Sequence, residues 1–301
     1  MPTPGERGSG ITTPVPQHWL FQPENEGNDM RQKKILALAM TAVAALAMSA
    51  CSGDTESEDK LVVGIKFDQP GLGLQKGAEF SGFDVDVAHY VADKLGYSED
   101  QVEFVQSVSA QRETMLSNGQ VDMIVATYTI SDARKEKVSF AGPYLVAGQG
   151  LLVNSDDTSI TGPDSLDGKK LCSVSGSTPA QRIKDEYSAG VQLYEAATYS
   201  ECIELLGNGT IDAVTTDDSI LAGFASLGEY EDKFKLVGDA FSEEPYGVGF
   251  PKGSELCEKA NEALTEMIDD GSWEQALKDN LGDAYTPNPA TNPPTVGGSC
   301  S

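Results

Sequence analysis

The residues with the most chemistry per unit length lie in one stretch, 121–134, VDMIVATYTISDAR. It opens as a short apolar run, Met123-Ile124-Val125-Ala126, the pattern of a buried strand. It then turns polar at once, with Thr127, Tyr128, Thr129, Ser131, Asp132 and Arg134. A buried strand ending in hydroxyls and an arginine fits the ligand-facing edge of an open α/β sheet, where crevices form at the carboxyl ends of strands. Ser131 or Asp132 is placed to cap a helix whose first turns carry Arg134, Lys135 and Lys137. Free backbone N–H groups, a threonine hydroxyl and a guanidinium then converge, which is what holding a carboxylate requires. The competing reading is a surface turn with an ordinary arginine.

The elements around this stretch predict how it is carried. A strand over 61–67 is followed by a glycine-rich loop, but its spacing is G-x-G-x-x-x-G and no helix follows, so it is not a nucleotide fingerprint. A helix runs from Gly82 to its C-cap Gly96, with Val87, Val91 and Leu95 on one face. A strand over 102–105 and a helix over 110–117 complete a β-α-β-α-β order, which predicts a mostly parallel sheet with right-handed crossovers. A second α/β set follows: strands at 170–174, 191–194 and 211–215, helices from Pro179, at 199–207 and from Asp218, and a closing strand at 234–237. A strand at 246–250 and helices at 254–270 and 273–280 come last. The two halves share a pattern, Gly119-Gln-Val-Asp-Met-Ile-Val against Gly209-Thr-Ile-Asp-Ala-Val-Thr, and two similar facing lobes make a cleft.

The chain has 301 residues, enough for two lobes, and a formal net charge of −26. Residues 1–50 are charge-balanced, with four basic residues (Arg7, Arg31, Lys33, Lys34) and four acidic (Glu6, Glu24, Glu26, Asp29). The whole excess therefore lies beyond them. Such a surface repels nucleic acid and anionic lipid, and an anionic ligand needs a local basic site.

Met30-Arg-Gln-Lys-Lys is a charged n-region, and 35–50 is an apolar, small-residue run. At sixteen residues it is short for a span, which needs about 20, and right for a signal-peptide core. It ends in Met48-Ser49-Ala50-Cys51, which resembles a lipobox, with methionine where leucine is usual. The expectation is a leader and lipoprotein signal peptide over 1–50, lipidation of Cys51, and a flexible acidic tether over 51–60. Residues 1–29 precede a natural start at Met30, so they read as a mis-called start or an unusually long leader. Residues 285–301, rich in Pro, Asn, Thr and Gly, read as a flexible tail.

The ordered motifs GFDVDVA, R-x-x-x-L-x-x-G-x-V-D, T-x-S-D-A-R, F-A-G-P-Y, S-G-S-T, I-D-A-V-T-T-D-D and Y-G-V-G-F-P-K resemble the polar amino-acid binding proteins of bacterial ABC importers. The likeness is greatest to the glutamate-binding lipoproteins of Gram-positive bacteria and covers about 61–282. It implies a type II periplasmic-binding-protein-like fold, two α/β lobes joined by two crossing strands near 147–150 and 244–246. Lobe 1 is then 61–146 plus 247–284, and lobe 2 is 147–246.

The resemblance also implies site residues. Thr129 and Arg134 match the positions that hold a ligand α-carboxylate, and Thr127 one whose carbonyl accepts from the α-ammonium. Thr178 resembles the second lobe's anion contact. Asp217 matches the carboxylate that pairs with the α-ammonium, with Thr216 a weaker candidate; its competing role is a helix N-cap, which Asp218 can also fill. Lys66 stands where related glutamine binders carry an acid, so a cation there favours glutamate or aspartate. Arg112 is a second cation candidate, its alternative a salt bridge at a helix start. Gln69 departs from an aromatic that packs on the ligand in relatives; Phe67 is a replacement, although core packing is the commoner role for a strand phenylalanine.

With Cys51 acylated, four cysteines remain, an even number suited to an exported protein. The resemblance pairs Cys172 with Cys202, which leaves Cys257 for Cys300. No C-x-x-C or H-x-H spacing supports a metal site, no cofactor is implied, and His89 alone in a helix reads as structural. No G-x-S-x-G elbow or paired Cys/His arrangement points to an enzyme. The expectation is a monomeric, membrane-tethered extracytoplasmic binding protein for an acidic or amide amino acid, docking on an ABC permease. The alternative is a cyclohexadienyl dehydratase-like enzyme on the same fold.

Overall fold

A computed structural model describes residues 60–187 and 190–301. The leader, the signal peptide, Cys51 and the tether to residue 59 lie outside the described residues.

The first half opens with β1 (Leu61–Ile65), whose Leu61, Val63 and Ile65 are buried. A small antiparallel sheet follows, β2 (Asp68–Gln69), β3 (Gly73–Lys76) and β4 (Glu79–Ser81). Helix α1 (Phe83–Leu95) then buries Val87 and Val91 and ends on Gly96, which takes the left-handed conformation a glycine C-cap permits. Next come β5 (Val102–Gln106), α2 (Arg112–Ser117), β6 (Met123–Ile124), α3 (Asp132–Lys135) and the long β7 (Val138–Ala147).

The second half holds β8 (Gln149–Asn154), β9 (Lys170–Val174), α4 (Thr178–Glu186), β10 (Gln192–Ala196), α5 (Tyr199–Gly207), β11 (Ala213–Asp217), α6 (Asp218–Ala225) and β12 (Phe234–Val237). The chain returns through β13 (Glu244–Pro251) and ends its regular structure with α7 (Leu256–Asp269) and α8 (Ser272–Leu281).

Two five-stranded sheets result among the described residues, with orders β5-β1-β6-β13-β7 and β10-β9-β11-β8-β12. In each, three strands run parallel and the remaining two pair antiparallel, so the halves repeat one plan. β7 and β13 stay paired as far as Ala147 and Glu244, beside Gly148, where the chain passes to the second sheet. The molecule is thus two α/β lobes joined by two crossing strands. Each lobe presents the carboxyl ends of its parallel strands, the place where open α/β sheets form crevices. Among the described residues no helix is long and apolar enough to cross a membrane.

The central strand is shorter than its apolar run. β6 stops at Ile124, and Thr127 takes φ +47°, which ends an extended strand. The chain regains pairing at Thr129, which bridges to Tyr246.

The tail departs from expectation. Residues 285–301 are not free. Phe140 and Ser299 exchange both backbone hydrogen bonds, at 2.9 and 2.7 Å. The Asn292 side chain accepts from Val146 N and donates to its carbonyl, both at 2.9 Å. Cys257 is bonded to Cys300. Since β7 is a sheet edge, the tail covers backbone groups that would otherwise be unpaired. A polar, proline-rich composition hides this, because the ordering comes from backbone and amide pairing rather than apolar periodicity.

Candidate functional site

Ser131, not Asp132, caps α3: its Oγ accepts from Arg134 N at 3.4 Å. The cap starts a four-residue helix that turns Arg134 inward, where it is buried. Its Nη1 donates to Thr129 O at 2.7 Å, its Nη2 to Gly176 O at 3.1 Å, and its Nε lies 3.4 Å from Glu113 Oε1. A guanidinium has five N–H groups, so one on each terminal nitrogen remains to face a carboxylate as a fork.

Thr127 and Thr129 follow β6 on the same lobe. The strained backbone of Thr127 is held by Asp84, at the start of α1. Asp84 Oδ2 accepts from Thr127 N at 2.8 Å, and Oδ1 from Tyr144 OH at 2.7 Å. Burial pushes the Asp84 carboxyl up to about 6, although these two donors and the Arg112 and Lys66 charges oppose the rise.

Arg112 is buried; it donates to the Ala126 carbonyl and stands 4.9 Å from the Tyr128 ring centroid, as does Arg134. Lys66 is also buried and donates to Ser109 Oγ at 3.2 Å. Burial, then Arg112, push its ammonium down to about 7. Burial, then Arg134, lower Arg112 too. Arg112 and Arg134 thus share one wall of the first lobe with Lys66 behind them, and the charged forms of Lys66 and Arg112 are favoured beside an anion.

The second lobe supplies the opposite wall. Ser177 caps α4, accepting from Ala180 N at 3.1 Å, so Thr178 opens the helix one residue earlier than the sequence suggests. Thr178 Oγ1 donates to Glu244 Oε2 at 2.6 Å and lies 3.2 Å from Thr129 Oγ1 across the cleft. Asp217 ends β11 fully inside the protein. Its Oδ2 accepts from Tyr246 OH at 2.6 Å, while its Oδ1 is buried without a hydrogen-bond partner. It stands at the helix N-cap position but makes no side-chain cap bond; Asp218 serves the α6 end through Ser219 N at 2.8 Å. Burial, reinforced by the Glu244 charge, pushes the Asp217 carboxyl well above the carboxylate range. An incoming cation reverses that penalty.

Arg112, Thr127, Thr129 and Arg134 from one lobe and Thr178 and Asp217 from the other line a single cavity of about 10 Å³. Lys66 stands behind it, through Ser109, and Thr216 is buried without lining it. Phe67 packs on Phe80, ring centroids 5.2 Å apart, away from the cavity, and Gln69 is buried against Thr127. His89 packs on Phe104. Cys172 is bonded to Cys202. Among the described residues no cluster of His, Cys, Asp or Glu is placed to hold a metal.

Sequence reasoning missed Asp84 and Glu244. Asp84 lies within the quoted GFDVDVA motif, but only the fold brings it to Thr127. Glu244 is buried at the crossing, where Arg182 Nη2 and Ser242 Oγ reach its Oε1 at 3.2 and 2.8 Å.

Two lobes around a cleft with opposite charges on facing walls define a ligand-binding protein of the two-lobe periplasmic type. Residues 61–283 match the bacterial extracellular solute-binding proteins, family 3, and the chain belongs to that family. It is similar to the glutamate-binding protein GluB of Corynebacterium glutamicum, 46% identical over 82% of this chain and 89% of that one. It is also similar to the ABC transporter glutamine-binding protein GlnH of Bacillus subtilis, 34% identical over 82% of this chain and 96% of the relative. Among solved structures, an ancestral arginine-binding protein bound to glutamine aligns with TM-score 0.69 and 35% identity, over 75% of this chain and 99% of that one. These are binding proteins, a non-enzymatic role, and they lend no support to the dehydratase-like alternative.

Proposed function

We propose that this protein is the extracytoplasmic receptor of an amino-acid ABC importer, tethered to the membrane by a lipid on Cys51, and that its ligand is glutamate ahead of aspartate and glutamine. The observation that carries the ligand class is the pairing of Arg134 with the unpartnered Asp217 Oδ1 on facing walls of one cavity. An α-amino acid presents a carboxylate and an ammonium to match. Arg134 and Thr129 take the carboxylate; Asp217 and the Thr127 carbonyl take the ammonium; Thr178 adds a second-lobe contact.

Lys66 and Arg112 support an acidic side chain. Both are buried cations whose charged state burial disfavours, and a γ-carboxylate relieves that. The names of the GluB and GlnH relatives agree with a glutamate or glutamine ligand.

A cavity of about 10 Å³ holds one water, so admitting an amino acid requires the lobes to part and close again. A ligand touching both walls stabilises the closed form by its differential affinity for it, and that form is what a permease recognises. Calorimetric titration with glutamate, aspartate and glutamine tests the proposal. Glutamate is expected to bind most tightly, and absence of binding by all three overturns it.

A further inference from the structure

The loop after β1 crosses the cleft. Asp68 belongs to the first lobe, yet its Oδ2 accepts from the backbone N–H groups of Tyr199 at 3.1 Å and Ser200 at 3.3 Å, the first two residues of α5 in the second lobe. Ser200 Oγ also donates to the Asp68 carbonyl at 3.3 Å. Thr198, the helix's own cap, accepts from Glu201 N. The first-turn N–H groups it leaves over are taken by a carboxylate from the opposite lobe, where the helix dipole favours negative charge.

Two residues on, the same loop meets a glycine. A Cβ built on Gly223, within α6, would lie 2.1 Å from the Pro70 carbonyl oxygen. Only a residue without a side chain admits the loop there. The loop also reaches the site itself, because Tyr199, whose backbone Asp68 holds, lines the cavity beside Asp217. The Cys172–Cys202 bond anchors α5 to β9, so a pull on the helix end is transmitted to the lobe.

We propose that Asp68 is a positioning residue for lobe closure: docked on the α5 N-terminus and seated over Gly223, the Asp68–Pro70 loop holds the two lobes together and sets how long a bound ligand is retained. The loop touches no ligand group in this scheme, but the Asp68 charge supports the Lys66 ammonium, so the variant that separates retention from preference is the one at Gly223, which leaves every charge in place. This deepens the amino-acid receptor reading and rests on it for the ligand used below.

The test measures L-glutamate association and dissociation by stopped-flow fluorescence, with solution X-ray scattering on the same samples. The variants are Asp68→Ala and Gly223→Ala. The second is a safeguard against misfolding, because alanine favours the α6 helix while its methyl group displaces Pro70. Both are expected to raise the dissociation rate at least fivefold and leave association within about twofold, and Gly223→Ala is expected to keep the glutamate-to-glutamine preference. Dissociation rates within about twofold of the parent protein in both variants overturn the proposal. Should the parent protein bind no amino acid, the receptor reading fails and scattering alone decides. Larger radii of gyration in both variants than in the parent then support the latch, and equal radii overturn it.

Discussion

Asp84 and Thr127 are forty-three positions apart, and the Thr127 amide donates to the Asp84 carboxylate at 2.8 Å. That bond holds a threonine at φ +47°, a conformation non-glycine residues rarely adopt, at the edge of the proposed ligand site. Asp84→Ala leaves two buried donors, Thr127 N and Tyr144 OH, without this acceptor, at a cost of roughly 1–3 kcal/mol each. The expected outcome is lower thermal stability together with weaker glutamate binding. Asp84→Asn, which accepts from Thr127 and donates to Tyr144, is expected to recover most of both. Calorimetry and thermal unfolding on the pair of variants check this; full affinity in Asp84→Ala would show that Asp84 serves stability alone.

The proposed site assigns the zwitterion to Arg134 and Asp217. Arg134→Ala and Asp217→Ala are each expected to weaken glutamate binding at least tenfold, about 1.4 kcal/mol. They should part company in stability. Asp217 is a buried carboxylate with one unpartnered oxygen, so Asp217→Ala is expected to leave the melting temperature unchanged or raise it. Arg134→Ala removes bonds to Thr129, Gly176 and Glu113 and should lower it.

The proposed role of Lys66 predicts pH-dependent binding. Its ammonium, pushed down to about 7 by burial, is partly neutral near that pH, and a γ-carboxylate favours the charged form. Glutamate is therefore expected to take up protons on binding between about pH 7 and 8, and its affinity to fall as pH rises through that window. Glutamine should show less of both. Calorimetry in buffers of different ionisation enthalpy measures the uptake, and equal uptake by Lys66→Met would remove Lys66 from the explanation. The stability effect runs the other way. Between about 7 and the ordinary lysine value the unfolded chain binds the extra proton, so this group's contribution to stability rises with pH.

The bond between Cys257 and Cys300 spans 43 residues and pins the tail over β7. The double variant Cys257→Ser with Cys300→Ser is expected to lose about 4 kcal/mol of stability by loop-closure entropy. Glutamate affinity should be unchanged, because neither residue lines the cavity. Denaturant unfolding alongside a glutamate titration reads both.

The sequence alone determined most of the strand and helix order, the repeated half and the stretch from Met123 to Arg134, but it read 71–77, which holds β3, as loop and left β7 unassigned. Those features rest on local signals: apolar runs, glycine caps and a polar switch at a strand end. It also placed Lys66 at a strand end, a matter of position along the chain, whereas Asp217 was marked only through the family resemblance. Only the tertiary structure decided that Lys66 sits behind Ser109 rather than on the cavity wall, and that Thr216 turns away while Asp217 faces in. The same holds for Asp84 under Thr127, Glu244 against Thr178, Asp68 on α5 and the tail over the β7 edge. Each of these is a hydrogen bond between residues far apart in sequence, and no composition, period or spacing encodes such a partner. A buried carboxylate has the same letter as a solvated one; its surroundings, assembled only by folding, give it its role.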